Sequence, residues 1–184
     1  MLESKGKLNI VDESGNIVGE DFRESIHEKG LLHQEIHVWF YTIQREVIFQ
    51  HRAKDKDTYP DLLDATVGGH VEIGMDYLQT ALKETSEETG ISLAQGDLVF
   101  LQTVRKKDQD SVTGKTNNAI RAIYLYRHDG EINELKPEKG KIIGFEAWPF
   151  ERLLNLSEQE KKRFIPYIVN AELPLVLKEI IKYC

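Results

Sequence analysis

The chain has 184 residues, of which 40% are hydrophobic and 30% charged, and its formal net charge is −7. This composition predicts a single globular domain with its own core, and the negative charge argues against non-specific binding to nucleic-acid backbone. The one cysteine, Cys184, argues against a disulfide framework and a zinc site built on cysteine pairs. The sequence contains no apolar run typical of a membrane span or a secretory signal, so we expect a cytoplasmic protein.

Strand signals dominate the first third of the chain. Residues 7–22 contain a turn at residues 12–16 and predict a small β-hairpin. Residues 37–43 and 46–52 are rich in β-branched and aromatic side chains, which predicts two further strands. A loop rich in Lys and Asp follows at residues 53–60.

A helix is predicted between Asp76 and Gly90. Asp76 is a suitable N-cap, and Gln79, three residues later, completes a capping-box pattern. Gly90 is suited to the left-handed position that follows a helix. Leu78 and Ala81 begin an apolar stripe at helical spacing, which predicts one buried face.

The rest of the chain predicts more strands and short helices. Strands are expected at residues 98–104, 119–126 and 142–148, a polar loop at residues 106–118, and helical turns at residues 175–183. Another helix is predicted from Ser157, where Glu160 completes a capping box. The pattern indicates a mixed sheet with helices packed on it, in the α/β or α+β class.

Three glutamates close to the end of the predicted helix carry the strongest functional signal. Glu84, Glu87 and Glu88 are spaced i, i+3 and i+4, so they share one helix face. A solvated acidic face is the simplest interpretation. However, like charges at this spacing destabilise a helix by roughly 0.2–0.5 kcal/mol a pair, and the C-terminal end of a helix disfavours anions. A hard divalent cation would remove both penalties, so the pattern favours a Mg²⁺ or Mn²⁺ site.

The sequence around these glutamates resembles the Nudix box, G-x5-E-x7-R-E-U-x-E-E-x-G-U, where U is aliphatic. The matching positions are Gly69, Glu84, Glu87, Glu88, Gly90 and Ile91. Three positions depart from the pattern: the first Glu is Met75, the Arg is Lys83, and the aliphatic residue after Glu84 is Thr85. Lysine keeps the charge of arginine but not its two-pronged geometry. We expect Asp76 to compensate in part for the missing glutamate.

The resemblance implies a fold and a chemistry. The fold is the Nudix α/β/α sandwich with a mixed β-sheet and the Nudix loop-helix. Its parts are an N-terminal β extension (residues 1–32), a core (residues 33–155) and a C-terminal helical segment (residues 156–184). The chemistry is metal-dependent cleavage of a phosphoanhydride bond in a small diphosphate compound. Glu84, Glu87 and Glu88, with the Gly68 carbonyl, are expected to hold Mg²⁺ or Mn²⁺, and Glu84 or a nearby carboxylate to accept a proton from water.

Other residues carry predicted or alternative roles. Arg52 and Lys56 are expected to contact phosphate oxygens, with a solvated loop as the plain alternative. His70 either contacts substrate or metal, or forms a hydrogen bond within its loop. Trp39 and Trp148 either stack on a base or belong to the core. A further acidic residue from a later loop is sought among Glu131, Glu134, Glu138 and Glu146.

Beyond the box, residues 12–150 are similar to the Nudix branch that includes isopentenyl-diphosphate isomerase and its hydrolase relatives. The similarity is carried by residues 12–15, 30–33, 37–39, 50–52 (with Lys56 and Pro60) and 63–70. In that branch the isomerase needs a thiol at or beside Gly68 and a glutamate near Ala119. Neither side chain present can move a proton, so hydrolysis is favoured over isomerisation.

Three functions remain open at this stage. The favoured one is an active Nudix phosphohydrolase, and the second is the isomerase. The third is a binding or regulatory protein whose catalysis has decayed, for which Met75, Lys83 and Ala119 are the signs. Restoring Glu at position 75 and Arg at position 83 is expected to raise turnover if a weak active site exists. Residues 7–32 are a plausible dimer element.

Overall fold

A computed structural model describes residues 6–56 and 58–183, and Cys184 lies outside this part. The strands are β1 (Lys7–Val11), β2 (Ile17–Phe22), β3 (His33–Tyr41), β4 (Glu46–Arg52), β5 (Leu63–Asp64), β6 (Val67–His70), β7 (Val99–Gln109), β8 (Thr116–Arg127) and β9 (Ile142–Pro149). The α-helices are α1 (Arg23–Lys29), α2 (Tyr77–Thr89), α3 (Phe150–Leu154), α4 (Glu158–Lys161) and α5 (Leu173–Ile180). Short 3₁₀ turns lie at Gln95–Asp97, Ile132–Glu134 and Ile181–Tyr183, and a π-helical turn at Ile168–Glu172 precedes α5.

The main sheet is mixed, as the sequence predicts. Its strand order is β5-β4-β3-β8-β7, with β6 also paired to β3 and β9 to β4. Strands β3 and β8 run parallel, and the other pairs are antiparallel. Strand β3 therefore lies at the centre, where its residues can contact β4, β6 and β8.

Both faces of this sheet are buried, which explains the continuous apolar run of β3. Trp39 faces one core, which is completed by Leu173, Val176 and other residues of the C-terminal helical segment. Val38 faces the other core, which includes Ala81 of α2. Helices therefore cover both faces, and the α/β/α sandwich is confirmed. Trp39 and Trp148 are fully buried, so they are core residues.

The N-terminal hairpin is confirmed, but the extension is not only β. Strands β1 and β2 pair around the predicted turn, and α1 follows directly and ends at Gly30, whose φ of 63° is left-handed. Ile17, Val18 and Phe22 of β2 are exposed. The dimer role of residues 7–32 stays a prediction.

The polar loop predicted at residues 106–118 is wrong. Strand β7 continues to Gln109 and β8 begins at Thr116, so the turn spans only residues 110–115. The polar residues of this segment indicated a loop, but they belong to a strand whose side chains, such as Lys106, face a polar cavity rather than an apolar core. In the C-terminal segment, the helix at Ser157 is one turn long, α3 precedes it, and α5 begins at Leu173. No helix in the described part of the chain is long and apolar enough to cross a membrane.

Candidate active site

Helix α2 presents the three glutamates to one side of the sheet. The Asp76 carboxylate accepts a hydrogen bond from the Gln79 backbone N–H at 2.7 Å, and the Asp76 backbone N–H donates to Gln79 Oε1 at 3.0 Å, so the predicted capping box is present. Gly90 ends the helix at φ 74°, as predicted. The glutamates point into a cavity of about 980 Å³ bounded by β3, β4, β6, β7 and β8. Asp76 caps the helix and is not among the residues that line the cavity, and its compensation for Met75 stays a prediction.

Glu88 is the most buried of the three, with 4% of its surface exposed. Its Oε2 accepts hydrogen bonds from the Gly68 amide at 3.1 Å and from Gln50 Nε2 at 3.2 Å. Burial and the charge of Glu84 raise the pKa of Glu88 to about 8, against the opposing effects of the Gly68 hydrogen bond and of Lys56 and Arg52. Positive charge added beside Glu88 would therefore favour its ionised form.

Glu84 packs against the backbone of β6. A Cβ on Gly69 would lie 2.7 Å from Glu84 Cδ and closer still to Cγ, so only glycine lets the helix approach this strand. Burial raises the pKa of Glu84, and Glu87 adds to the effect while Lys83 and Lys141 oppose it. Glu87 is the most exposed member of the set, with 45% of its side chain accessible.

We expect Gly69→Ala to lower turnover by about ten- to a hundredfold, because an added methyl group displaces the Glu84 carboxylate. Gly69 cannot easily retreat, since it is paired with Ile36 of β3. Steady-state kinetics and thermal melting measure the effect. Gly96→Ala is the matched control, because a Cβ there meets no atom within 4 Å. Equal losses in both variants, or none in Gly69→Ala, would show that the close approach does not matter.

Lys83 links the acidic groups of the helix and the preceding loop. Its Nζ lies 2.7 Å from Glu72 Oε1, 3.7 Å from Glu84 Oε1 and 3.6 Å from Glu87 Oε2. Partial burial lowers the pKa of Lys83, but the hydrogen bond to Glu72 and the charges of Glu84 and Glu87 outweigh this and leave it raised. Lys83 stands where the Nudix-box pattern has an arginine, and it contacts Glu84 and Glu87 from this position.

Basic side chains surround the acidic cluster. Arg52 is fixed by hydrogen bonds to the Thr58 and Tyr59 carbonyls and to Asp64 Oδ2, and it lines the cavity together with Lys56. Burial and the charge of Arg52 lower the pKa of Lys56, while Glu88 raises it.

Two more basic residues of the cavity wall, Arg23 and Lys141, were not found from the sequence. Lys141 reaches the site because the Ala53 amide donates to its carbonyl at 3.0 Å, beside the end of β4. No local sequence signal marks this placement. Among the described residues, none of Glu131, Glu134, Glu138 and Glu146 lines the cavity.

His70 belongs to a cluster of three histidines. The rings of His27, His33 and His70 lie 5.1 Å apart pairwise, and one nitrogen of each falls within 4.8 Å of the others. His33 Nδ1 contacts the Leu31 carbonyl at 3.0 Å, which leaves Nε2 with its lone pair, and that atom has no hydrogen-bond partner among the described residues. Glu35 Oε1 lies 3.5 Å from His33 Nε2 and 3.4 Å from His70 Nε2.

Burial and the charge of Arg23 hold the pKa of His70 well below its usual range, against the pull of Glu35. Neutral imidazoles are good ligands for borderline divalent cations. This cluster, of which His27 and His70 line the cavity, is therefore a second group that could hold a metal ion. The sequence interpretation weighed His70 alone, because its partners come from α1 and β3.

A buried ionic network forms the wall opposite α2. Glu172 accepts hydrogen bonds from His37 Nδ1 at 2.6 Å, Trp39 Nε1 at 2.8 Å and Arg121 Nη1 at 2.8 Å. Arg121 also donates to Glu35 Oε2 from Nη2 at 2.7 Å. This network was missed from the sequence, since its members are up to 135 positions apart.

Gly68 and Ala119 occupy the two positions where the resemblance implies that an isomerase needs a thiol and a glutamate. Gly68 pairs with His37 of β3, and its amide is used by Glu88. Ala119 is fully buried on β8 and pairs with His33. The structure therefore puts a bare backbone and a methyl group where an isomerase would need a thiol and a carboxylate.

Comparison with known proteins identifies the family. The NUDIX domain model matches residues 31–168. A Nudix hydrolase from Clostridium acetobutylicum is 28% identical over 142 residues, covering 74% of this chain and 66% of that protein. A Deinococcus radiodurans protein of known crystal structure superposes with a TM-score of 0.65 at 22% identity, over 82% of this chain and 87% of the other. The NUDIX domain of Shewanella oneidensis NrtR, solved with ADP ribose, gives 0.52 at 16% identity, over 71% and 80%.

The match covers only part of the length of the relatives. The chain spans 66%, 22% and 47% of the lengths of the first three curated relatives, so it corresponds to part of each. The similarity to the isomerase branch stays a prediction. The family model covers most of the fold and all of α2, and the solved structures share the sandwich. The chain belongs to the Nudix domain family.

Proposed function

We propose that this chain is a divalent-cation-dependent hydrolase that cleaves the phosphoanhydride bond of a nucleoside diphosphate derivative or a similar small molecule. The observation that carries the proposal is the carboxylate set on α2, in which Glu88 is buried and Glu84 partly buried at a cavity that basic side chains also line. The NUDIX domain from Shewanella oneidensis was solved with ADP ribose, a compound that contains such a bond.

The residues present fit Mg²⁺ or Mn²⁺. Burial raises the pKa of both Glu84 and Glu88, the charge of Glu87 adds to the effect at Glu84 and the charge of Glu84 adds to it at Glu88, an arrangement that a cation would relieve. Carboxylate oxygens, completed by the more exposed Glu87 and a backbone carbonyl such as that of Gly68, are the donors that hard cations prefer. When bound, such an ion lowers the pKa of a coordinated water and offsets phosphate charge.

Side chains of the protein supply the proton acceptor and the positive charges that the hydrolysis needs. In hydrolysis, a water oxygen bonds to phosphorus, the bond from phosphorus to the bridging oxygen breaks, and the leaving phosphate takes the electron pair. The carboxylate of Glu84, whose pKa is already raised, is suited to accept the water proton. Arg52, Lys56 and Lys141 face the same space and stabilise the negative charge that develops on the phosphates.

The test is phosphate or nucleotide release from a panel of diphosphate compounds with Mg²⁺ or Mn²⁺. We expect turnover that disappears in EDTA and in the double variant Glu87→Gln with Glu88→Gln. The panel should include a nucleoside diphosphate, a nucleotide sugar, ADP-ribose, a dinucleotide and a prenyl diphosphate. Turnover that survives both EDTA and the double variant would contradict the proposal.

The alternative of a binding protein without turnover makes a different prediction for the same panel. It predicts that calorimetry detects binding of a diphosphate compound and of the metal, and that the assay detects no product. Met75 and the absence of Glu131, Glu134, Glu138 and Glu146 from the cavity wall are the observations in its favour. The contacts of Lys83 with Glu72, Glu84 and Glu87 count against it, because they hold two of the three α2 glutamates beside one cation.

A further inference from the structure

The cavity extends beyond the space that a diphosphate needs. At one wall, the antiparallel ribbon of β7 and β8 contributes Lys106 and Asn117 to the cavity lining. Lys106 pairs with Ala119 across the ribbon, and Asp108 pairs with Asn117. Because residues two apart on a strand share a face, these side chains lie together.

Lys106 is a buried ammonium with few acceptors. Only 2% of its side chain is exposed, and its one close acceptor in the described part of the chain is Asp108 Oδ1 at 3.0 Å. The ring of Tyr167 lies 5.1 Å from Nζ and that of Tyr59 5.7 Å. Burial and the charge of Arg121 lower the pKa of Lys106 to about 7, against the attraction of Glu35, Asp64 and Glu172. An ammonium has three hydrogens to donate, so Lys106 has donor capacity left for a group that enters the cavity.

An acceptor oxygen of the same cavity wall, Asn117 Oδ1, is also buried and without a hydrogen-bond partner among residues 6–56 and 58–183. Asn117 is held in place by its Nδ2, which donates to Glu35 Oε1 at 3.0 Å. This wall therefore offers a buried donor, Lys106, and a buried acceptor, Asn117 Oδ1.

We propose that Lys106 and Asn117 form a subsite for the organic group of the diphosphate substrate and select a polar, hydrogen-bonding group over an apolar chain. This inference rests on the proposed function for the identity of the ligand's diphosphate part. An unmet donor and an unmet acceptor in a buried wall favour ligands that satisfy both, and an apolar group would leave both desolvated. A nucleoside or sugar attached to the diphosphate has the required chemistry, whereas a prenyl chain does not.

The experiment measures binding by calorimetry in EDTA, so that its result does not depend on turnover. The probes are ADP-ribose, inorganic pyrophosphate and geranyl diphosphate, which share the diphosphate and differ in the attached group. The variants are Lys106→Met and Asn117→Ala, with Lys107→Met as the matched control, since Lys107 is the exposed neighbour on the opposite face of β7. Lys106→Met keeps the side-chain length but leaves Asp108 without its ion-pair partner, so thermal melting of the variant is measured first to establish that it is folded.

We expect Lys106→Met to weaken ADP-ribose binding by about ten- to a hundredfold, the usual range for a lost hydrogen bond to a charged group. Pyrophosphate binding should change by less than about twofold, and Lys107→Met should change neither. Wild-type protein should bind geranyl diphosphate no more tightly than pyrophosphate. Equal weakening of ADP-ribose and pyrophosphate, unchanged ADP-ribose binding, or tight binding of geranyl diphosphate would overturn the inference.

Asn117→Ala keeps the inference testable if Lys106→Met does not fold. It should weaken ADP-ribose selectively, and failure to do so counts against the subsite. A separate kinetic assay with Mg²⁺ reports on the proposed function. Selective binding without turnover would support the subsite and contradict the hydrolase, whereas turnover with no selectivity at Lys106 or Asn117 would do the reverse.

Discussion

Replacing Glu88 by Gln is expected to lower metal-dependent turnover by about a thousandfold, which corresponds to about 4 kcal/mol of transition-state stabilisation. In the wild type, Glu88 Oε2 accepts hydrogen bonds from the Gly68 amide at 3.1 Å and from Gln50 at 3.2 Å. A glutamine side chain has the same shape, and its oxygen can accept both. It cannot supply the negative charge that a divalent cation needs. Initial rates at saturating Mg²⁺ or Mn²⁺ measure the effect.

A stability measurement separates this loss from misfolding. Because burial and Glu84 raise the pKa of Glu88 to about 8, the metal-free protein carries a cost for ionising it as the pH rises towards that value. Glu88→Gln removes this cost, so the metal-free variant should melt no lower than wild type at pH 8. Added Mn²⁺ should raise the melting temperature of wild type but not of the variant. The exposed Glu151→Gln is the control, and turnover in Glu88→Gln within about tenfold of wild type would show that the carboxylate is dispensable.

Replacing Glu172 by Ala is expected to destabilise the fold by about 3–5 kcal/mol, the usual cost of removing one partner from a buried ion pair. Glu172 is 2% exposed, and its carboxylate accepts hydrogen bonds from His37, Trp39 and Arg121. Without it, Arg121 keeps only Glu35 as an acidic partner in the described network. For a chain of this size the loss lowers the melting temperature by roughly 6–20 °C.

The pH dependence gives this prediction a second readout. Burial alone would raise the pKa of Glu172, but His37 and Arg121 outweigh it and hold the pKa well below its ordinary value of 4.5. A carboxyl group with a lowered pKa stabilises the fold above its unfolded pKa and loses that contribution as the pH falls through the folded one. The difference in melting temperature between wild type and Glu172→Ala should therefore be full at pH 7 and narrow below about pH 4.5.

Glu151→Ala is the control for this pair, since 70% of that side chain is exposed, and its melting temperature should match wild type. A loss at Glu172 no larger than at Glu151, or a difference that does not change with pH, would show that the buried charge does not stabilise the fold.

Local features of the chain were readable from the sequence. The ends of α2 follow from Asp76, Gln79 and Gly90, whose hydrogen-bonding and backbone preferences act over a few residues. The shared face of Glu84, Glu87 and Glu88 follows in the same way from the helical repeat. The N-terminal hairpin follows from a polar turn between two strands.

Features that depend on pairing over long separations were decided only by the tertiary structure. Lys141 reaches the cavity through its backbone contact with Ala53, and the network of Glu172 joins β3, β8 and the turn before α5. The second part of β7, residues 106–109, is predicted as a loop from the sequence because its polar side chains, such as Lys106, face a cavity, and burial of this kind leaves no hydrophobic alternation to detect. Sequence patterns report local geometry and apolar burial, whereas polar groups become a site only when strand register brings them together.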